Sequence, residues 1–435
     1  MSELAVLMNG VRAGALTRLA AGRLRLTYDD GYRSRRDATP LSVSMPLVER
    51  EHSESAVRPW ISGLLPDNQQ VVQRWAREFG LTTTEAFALL GTPVGEDCAG
   101  AVQFARPGRL AALESDPGSV AWLSEDEVGA RLRILRTDAT AWLGDDASRR
   151  HGTAGQFSLA GAQRKTALLF EDGRWGVPTG RIPTTHILKP PIESLGDQRL
   201  YDQEVNEHLC LAGARRAGLV AADSRVAVFG GERAIVVTRY DRRRAGEGWL
   251  RVHQEDVCQA LGVAPDKKYE ADGGPGIGRI ASLLRAVMPA DVAEDAVWRF
   301  ADALAWNWAV GGSDAHAKNY SLLLSGPNAR LAPLYDITSS LAYWREHDIP
   351  IAMKLDDGHR LFAHRDPWRA TASSLSVDPA RLHDRVVDLL RRAPDAMSDA
   401  ASDEGLSSLG SRLPGRLVKA VSARSARCRR LMGAA

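Results

Sequence analysis

The amino-terminal hundred residues begin with alternating apolar and polar positions. Apolar stretches at residues 4–8 and 11–16 flank Asn9-Gly10, a dipeptide that favours a two-residue hairpin turn. Residues 24–28 repeat the alternation of a half-buried strand. Apolar residues at helical spacing follow over residues 53–91. The chain is therefore predicted to start with a small antiparallel sheet and to continue into helices.

The next segment connects this region to the rest of the chain. One more strand is predicted at residues 102–105, and residues 106–118 have the polar, Pro- and Gly-containing composition of a linker. Residues 124–143 show helical periodicity. Ser124 and Glu127 have the spacing of a capping box, so a helix is predicted to begin there.

Strands return after residue 157 and then give way to helices. Short apolar strands separated by turns are predicted up to Lys189. Beyond Tyr201 the pattern is helical, apart from strands near residues 225–229 and 234–240. The fold class predicted from these periods is α+β.

Composition limits the class of protein without selecting a function. The chain has 435 residues, 44% hydrophobic and 25% charged, which is typical of a globular protein of two or three domains. A net charge of +2 is too small to indicate nucleic-acid or membrane binding. No signal peptide and no run of about 18 apolar residues is recognisable, and the four cysteines form no C-x-x-C pair. We therefore expect a cytoplasmic protein with reduced thiols.

The residues most indicative of chemistry follow a long apolar helix. This helix leads through Gly311-Gly312 into Ser313-Asp314-Ala315-His316-Ala317-Lys318-Asn319. Protein kinases place a catalytic Asp five residues before a metal-binding Asn, and Asp314 and Asn319 have that spacing. A second metal-binding Asp follows one hairpin later in kinases, and Asp336 fits that position. The spacing alone is common by chance, so its context between helix and strand is what favours a kinase loop.

Three further segments fit an ATP site less specifically. Small residues within Ser158–Lys165 suit a loop over phosphates, although the local sequence favours an ordinary hairpin turn. Lys189 ends a β-like segment, as the phosphate-binding lysine of kinases does, whereas a strand-end lysine is usually solvated. Glu207, on a helix predicted at residues 202–216, fits as its partner and Glu204 competes for that role. Both glutamates are more often expected to face solvent.

Other kinds of site have little support. The segment Asp272 to Gly278 is rich in glycine, but Pro275 lacks an N–H donor, so we interpret it as a loop near the active site. The histidines lack the H-x-x-x-H and H-x-x-E-H spacings of zinc sites, and there is no G-x-S-x-G elbow. There is also no G-x-G-x-x-G after a strand, which disfavours a Rossmann dinucleotide site.

Taken in order, these segments resemble successive signatures of the HipA family of bacterial toxin kinases. The similar stretches are GLLPDN (63–68), SLAGAQRKTALL, PTTHILKP, VVTRYDRR (236–243), HQEDVCQALG (253–262), KYEADGGPGI (268–277), SDAHAKNYSLLL and PLYDI. The resemblance covers nearly the whole chain. It implies a two-lobed protein-kinase-like fold with a β-rich N-terminal lobe and an all-α C-terminal lobe.

The resemblance also implies a Mg·ATP-dependent serine/threonine kinase. Asp314 would be the catalytic base, Lys189 would contact the phosphates, and Asn319 and Asp336 would bind Mg²⁺. Thr238 to Tyr240 would be the hinge that holds the adenine, although the family often has an acidic residue in place of Thr238. Besides Lys189, Asn319 and Asp336, the residues implied to line the ATP site are Ala160, Gly161, Ala162, Gln163, Arg164, Lys165, Thr238, Arg239, Tyr240, His316, Ala317, Lys318 and Tyr335.

Regulation, target and partners are likewise implied by the family. Ser158 matches the serine that members autophosphorylate, and we expect a phosphate there to eject the ATP-holding loop. The implied partners are a HipB-like helix-turn-helix antitoxin and, mainly through it, operator DNA. The implied target is an aminoacyl-tRNA synthetase such as glutamyl-tRNA synthetase, whose phosphorylation stops translation and causes growth arrest or persistence. Candidates for operator contact are Arg424, Arg427, Arg429 and Arg430, although a solvated basic patch at a helix end is the favoured interpretation.

The same resemblance divides the chain into four segments. We expect residues 1–105 to be the HipA N-terminal subdomain and residues 106–156 a helical connector. Residues 157–400 would be the kinase domain, with the catalytic loop at residues 311–319. Residues 401–435 would be a helical tail.

Two other functions stay open on the residues alone. One is a small-molecule or lipid kinase of the phosphoinositide-kinase-like superfamily, because the catalytic loop also suits that class. The other is an inactive kinase that acts as an antitoxin-binding co-repressor. The intact set of Asp314, Asn319 and Asp336 favours the active enzymes over the second alternative.

Overall fold

The amino-terminal part is a five-stranded antiparallel sheet with helices packed on it. The computed structural model describes residues 2–115, 118–137, 163–192, 200–246, 248–356 and 358–434. The strands are β1 Ser2–Met8, β2 Val11–Arg18, β3 Leu24–Tyr28, β4 Glu51–His52 and β5 Val102–Ala105. The helices are α1 Asp30–Arg33, α2 Glu54–Gly63, α3 Gln69–Glu78 and α4 Ala86–Leu90. The strand order is β4-β3-β2-β1-β5.

The predicted hairpin at the start of the chain is confirmed. β1 and β2 pair antiparallel across Asn9 and Gly10, whose φ angles of 50° and 77° are those of a two-residue hairpin turn. Their apolar faces pack with α2 and α3 around Trp60 and Phe104. The linker predicted at residues 106–118 is partly wrong, because Pro107–Ser115 forms helix α5. Proline is favoured in the first turn of a helix, and here it starts one.

A six-stranded sheet follows, in the order β10-β11-β9-β7-β8-β6. Its strands are β6 Val120–Leu123, β7 Thr166–Glu171, β8 Arg174–Pro178, β9 His186–Lys189, β10 Ser224–Phe229 and β11 Glu232–Thr238. Helices α6 (Glu125–Thr137) and α7 (Gln203–Arg216) pack against it. The predicted capping box is confirmed, since the Glu127 N–H donates to Ser124 Oγ at 3.3 Å and the Ser124 N–H donates to Glu127 Oε2 at 2.7 Å.

The carboxyl-terminal part is mainly helical, with short strands between the helices. The helices are α8 Val257–Ala260, α9 Ile277–Val287, α10 Ala290–Val310, α11 Trp368–Leu375, α12 Pro379–Ala401 and α13 Leu413–Leu431. The strands are β12 Arg242–Ala245, β13 Gly248–Arg251, β14 His253–Asp256, β15 Ser321–Ser325, β16 Asn328–Leu331, β17 Pro350–Leu355 and β18 Gly358–Arg360. The α+β class is thus confirmed.

One detail of the fold prediction needs correction. The lobe expected to be all-helical contains the sheets β14-β15-β16 and β17-β18. The apolar segment after the catalytic loop buries Leu322 and Leu324, and β14 and β16 satisfy its backbone groups on both sides. The chain enters the β15–β16 hairpin from the catalytic loop and leaves it towards Asp336, so both lie at the open end of one hairpin.

Two further features of the fold concern the cysteines and the helices. No disulfide bond joins the four cysteines, all of which lie in the described part of the chain and are buried. Among the helices that the structure describes, none combines the length and the apolar character needed to cross a membrane.

Candidate active site

The catalytic loop begins where a long buried helix ends. α10 is buried along most of its length, so its last turn holds the following loop in place. Gly311 ends this helix with a φ of 73°, a left-handed conformation that glycine adopts without strain. A Cβ on Gly312 would lie 2.2 Å from Oδ1 of Asn307. The Gly311-Gly312 pair therefore lets the chain turn sharply towards Asp314.

Asp314 and Asn319 are joined by a compact turn. Nδ2 of Asn319 donates to the carbonyl oxygen of Asp314 at 2.8 Å, and the His316 N–H donates to the same oxygen at 2.8 Å. Asn319 is buried, whereas the side chain of Asp314 is 58% exposed. The predicted spacing thus places the exposed carboxylate of Asp314 beside the buried amide of Asn319.

Asp336 lies after the β15–β16 hairpin and contacts Lys189. Its φ of 56° is left-handed, a conformation that Asp tolerates better than most residues. Nζ of Lys189 donates to Oδ1 of Asp336 at 2.7 Å and to Oε1 of Glu207 at 2.7 Å. Lys189 and Glu207 are both buried. The structure therefore brings the predicted lysine between two carboxylates.

Lys189 and Asp336 each stabilise the charged form of the other. Burial alone would raise the pKa of Asp336, but Lys189 and Lys165 outweigh it and hold that pKa well below its ordinary value. Burial also works against the charge of Lys189, but Asp336 and Glu207 outweigh it and raise the pKa. Lys189 and Asp336 are therefore both ionised at neutral pH.

Two neighbouring side chains at the end of the predicted phosphate loop, Arg164 and Lys165, have different surroundings. Burial, and then repulsion from Lys189, lower the pKa of Lys165 to about 8, which places this lysine beside the Lys189 cluster. Arg164 instead donates from Nη1 to the carbonyl oxygen of Leu135 at 3.3 Å, at the carboxyl end of α6. Gln163 is half-buried. Ser158, Ala160, Gly161 and Ala162 lie outside the described residues.

An acidic residue of the amino-terminal part reaches the catalytic loop. Asp67 forms ion pairs with Lys318 and with Lys268, the latter at 2.8 Å. Lys318 is buried. Burial would raise the pKa of Asp67, but Lys318 and Lys268 lower it. Lys318 is thus held in place by a residue about 250 positions away.

A tyrosine contacts the predicted base directly. The hydroxyl of Tyr269 donates to Oδ1 of Asp314 at 2.7 Å. Its ring packs edge-to-face on His316, with 5.0 Å between ring centroids. The backbone N–H of Ala317 donates to the carbonyl oxygen of Lys268 at 3.3 Å. The chain around Tyr269 is therefore docked on the catalytic loop at three points.

The predicted hinge residues have different surroundings. Thr238 is exposed at the end of β11, whereas the Arg239 guanidinium is buried and binds Asp241 and Thr184. The ring of Tyr240 lies 5.7 Å from that of Tyr335. The Arg239 side chain is therefore part of a buried network of charged and polar groups.

Tyr335 contacts the catalytic loop from the other side of the hairpin. Its hydroxyl donates to the carbonyl oxygen of Lys318 at 2.7 Å and contacts Ser321 Oγ at 2.6 Å.

Two family models match this chain. Residues 4–105 match the HipA N-terminal domain, and residues 157–397, more than half of the chain, match the HipA-like C-terminal domain. The chain belongs to the HipA family. The family predicted from the sequence motifs is thus confirmed.

Relatives and a solved structure support this membership. The chain is 33% identical over 409 residues to a protein of Sinorhizobium fredii named putative kinase Y4mE, and the match covers 91% of each. It is 27% identical over 388 residues to the serine/threonine-protein kinase toxin HipA of Shewanella oneidensis, covering 83% of this chain and 84% of that protein. A structure of the Shewanella oneidensis HipA, HipB and operator DNA complex matches with a TM-score of 0.80 at 24% identity. It covers 99% of this chain and 98% of the matched chain. The predicted HipA-like fold is confirmed.

The residues around Lys189 and the Asp314–Asn319 turn include groups that fit a nucleotide and a divalent cation. Asn319 and Asp336 offer one amide and one carboxylate, and Mg²⁺ typically takes one or two carboxylates and completes its shell with phosphates and water. The described residues contain no cluster of three His, Cys, Asp or Glu side chains able to hold a metal. Oε2 of Glu207 and Nδ1 of His316 are buried without hydrogen-bond partners among the described residues. The donor set thus fits Mg·ATP.

Sequence reasoning placed some of these residues wrongly and missed others. Glu207 and Glu204 do not face solvent, since both are buried and Glu204 lies 3.3 Å from Arg233. Asp67 and Tyr269 fall within motifs quoted for the resemblance, but no local pattern assigned either one to the site. Only the folded chain brings them to Asp314 and Lys318.

Proposed function

We propose that this protein transfers the γ-phosphate of ATP to a serine or threonine hydroxyl of a protein. The observation that carries the proposal is the ion pair of Lys189 with Glu207 and Asp336, together with the Asp314–Asn319 turn, whose His316 is close enough to Asp336 to help lower its pKa. Protein kinases need such a lysine–glutamate pair, a metal-binding Asp and a base in one cleft.

The side chains would divide the work as follows. Lys189 would bind the phosphates, and Asn319 and Asp336 would hold Mg²⁺. When bound, this ion would neutralise charge on the phosphates. The acceptor oxygen would form a bond to the γ-phosphorus while the bond to the bridging oxygen of ADP breaks. The acceptor proton would pass to Asp314, whose side chain is exposed enough to meet a protein substrate.

We further propose that the protein is the toxin of a toxin–antitoxin pair. The relative named a kinase toxin and the structural match to a complex with HipB and operator DNA support this. The partner would be a helix-turn-helix antitoxin that carries most of the operator contact. The target would be an aminoacyl-tRNA synthetase, and Ser158 would be the autophosphorylated residue. Residues 1–105 would form the N-terminal subdomain and residues 157–400 the kinase domain.

The test is phosphate transfer from ATP labelled on its γ-phosphate. Purified protein is incubated with Mg²⁺, labelled ATP and a cell lysate, beside Asp314→Asn and Asp336→Asn. We expect label on one dominant lysate protein and on Ser158, both lost in the two variants. Asp348→Asn is the matched control, because its side chain is 60% exposed and pairs only with His347 among the contacts described.

Two outcomes would contradict the proposal. The first is a folded wild-type protein that binds Mg·ATP and labels no protein. The second is label that persists in Asp314→Asn and Asp336→Asn at the level of Asp348→Asn.

A further inference from the structure

Asp314 is held by a tyrosine from outside the catalytic loop. Its Oδ1 accepts the hydroxyl of Tyr269 at 2.7 Å, while its Oδ2 lies 4.0 Å from Nε2 of His316. We infer that Tyr269 is a positioning residue that fixes the carboxylate of Asp314 in the orientation that accepts the substrate hydroxyl. The inference rests on the proposed kinase function and adds a residue to its machinery.

The tyrosine itself is held rigidly enough to act in this way. Its ring meets the His316 ring edge-to-face, with an interplanar angle of 82° and 5.0 Å between centroids. Nζ of Lys268 lies 5.4 Å from the same ring and donates to Oδ2 of Asp67 at 2.8 Å. The carbonyl of Lys268 accepts the N–H of Ala317 at 3.3 Å. A side chain held on several sides loses little further entropy when its hydroxyl orients a neighbour.

Asp314 needs such a partner because of its exposure. A side chain that is 58% exposed samples several rotamers unless a hydrogen bond selects one. An ionised carboxylate has about four acceptor sites on its two oxygens, so one tyrosine hydroxyl leaves room for a second donor. Tyr269 can therefore hold Oδ1 while Oδ2 accepts the hydroxyl of the substrate.

The arrangement favours positioning over blocking. A blocking hydroxyl has to leave when substrate binds, whereas the ring of Tyr269 contacts the His316 ring and lies near Nζ of Lys268, which restrains it. Burial, and then the negative charge of Asp314, raise the pKa of Tyr269. The phenol therefore stays protonated, and able to donate a hydrogen bond, at neutral pH.

The test is Tyr269→Phe, which removes the hydroxyl and keeps the ring. The measurements are kcat and KM for ATP with the lysate protein that the labelling assay marks as acceptor, the Kd of Mg·ATP by calorimetry, and the thermal midpoint Tm. The matched control is Tyr32→Phe, because the Tyr32 hydroxyl donates to the Thr39 carbonyl at 2.8 Å in the amino-terminal sheet region. We expect kcat to fall about ten- to a hundred-fold, while KM for ATP and Kd change less than about two-fold.

Each alternative result has a definite meaning. Unchanged or increased kcat in Tyr269→Phe would overturn the inference, and an increase would indicate a blocking hydroxyl. A fall in kcat with an equal loss of ATP affinity or a large drop in Tm would indicate a structural role and would also overturn it. A wild-type protein that transfers no phosphate would instead contradict the proposed kinase function. Failure of the positioning role and failure of the kinase function therefore give different results.

Discussion

A lysine between two carboxylates shows how much a single residue depends on its surroundings. Lys189 ends β9. Its position in the sequence predicts that it binds the phosphates of ATP, and this role stays a prediction. The same sequence did not decide between Glu204 and Glu207 as its partner. Both are buried on α7, and the packing of α7 against the sheet turns Glu207 to Lys189 and Glu204 to Arg233. A difference of three positions on one helix is too small for a sequence pattern to resolve when both faces are buried.

Lys189→Met is expected to lower the Tm by several degrees. The substitution leaves Glu207, which is 1% exposed, without its cation, and an unpaired buried charge costs about 3 kcal/mol. Adding Glu207→Gln removes that charge, so the double variant is expected to regain part of the lost stability while phosphate transfer stays absent. Thermal unfolding followed by circular dichroism measures both effects.

Lys419→Met is the matched control, because this lysine is exposed on α13. A Lys189→Met protein with the Tm of the Lys419→Met protein would contradict the argument. So would a double variant that is less stable than Lys189→Met.

At the scale of an element, the last helix has a different role from the one its composition predicted. Four of the arginines on α13, Arg424, Arg427, Arg429 and Arg430, are predicted from the sequence to form a solvated patch or to contact the operator. Arg424 is buried, donates to the carbonyl of Trp308 at 2.7 Å and pairs with Glu346. Arg427 also pairs with Glu346. Both interpretations are therefore wrong for Arg424, which attaches the helix to the core, whereas Arg430 is exposed.

Arg424→Ala is expected to destabilise the protein by about 2–3 kcal/mol. The change leaves the Trp308 and Leu361 carbonyls without the charged donor that they share. Arg430→Ala, at an exposed position of the same helix, is expected to change stability by less than about 0.5 kcal/mol. Denaturant or thermal unfolding of the two variants checks this. Equal stability of the two proteins would show that Arg424 does not anchor α13.

At the scale of the whole molecule, the amino-terminal part contacts the candidate active site. Asp67 pairs with Lys318 and Lys268, and Glu255 on β14 accepts the Ser42 hydroxyl at 2.5 Å. A buried network adds Asp97 of the amino-terminal part, which binds three arginines within the match to the HipA-like C-terminal domain, Arg239, Arg242 and Arg251. Charged groups buried at such a contact fix the relative position of the two parts, because a shift would leave them unpaired.

Asp67→Asn is expected to reduce phosphate transfer about ten-fold or more. The amide cannot pair with Lys318, whose side chain is 3% exposed, and the catalytic loop loses its support from the amino-terminal part. The control is Asp30→Asn, an ion-paired aspartate of the same part whose side chain is 68% exposed. Steady-state kinetics of both variants test the expectation, and equal rates would show that Asp67 does not support the loop.

The contact through Glu255 predicts a pH dependence of stability. Burial raises the pKa of Glu255 to about 8 from an ordinary value of 4.5. The folded protein therefore keeps a proton that the unfolded chain releases, so this stabilisation is complete below about pH 4.5 and is lost as the pH rises through about 8.

Glu255→Gln isolates this effect, because its amide does not titrate. We expect the Tm of the wild type to fall relative to that of Glu255→Gln between pH 6 and pH 9, as measured by calorimetry in matched buffers. A difference between the two proteins that stays constant over this range would contradict the prediction.

The sequence by itself determined the local elements and the order of the motifs. Hairpin turns, capping boxes and the spacing of Asp314 and Asn319 depend on residues a few positions apart, where backbone geometry links pattern to structure. The family was predicted from motifs that occur along the chain in the same order as in the family, and the family models confirm it.

Only the tertiary structure decided which distant side chains meet. Tyr269 and Asp314 are 45 positions apart, Lys268 and Asp67 are 201 apart, and Lys318 and Asp67 are 251 apart. No periodicity connects such positions, because their contact depends on how whole elements pack around a common core. For this reason only the folded chain shows that Lys189 pairs with Glu207, that Arg424 is buried and that Tyr269 donates to Asp314.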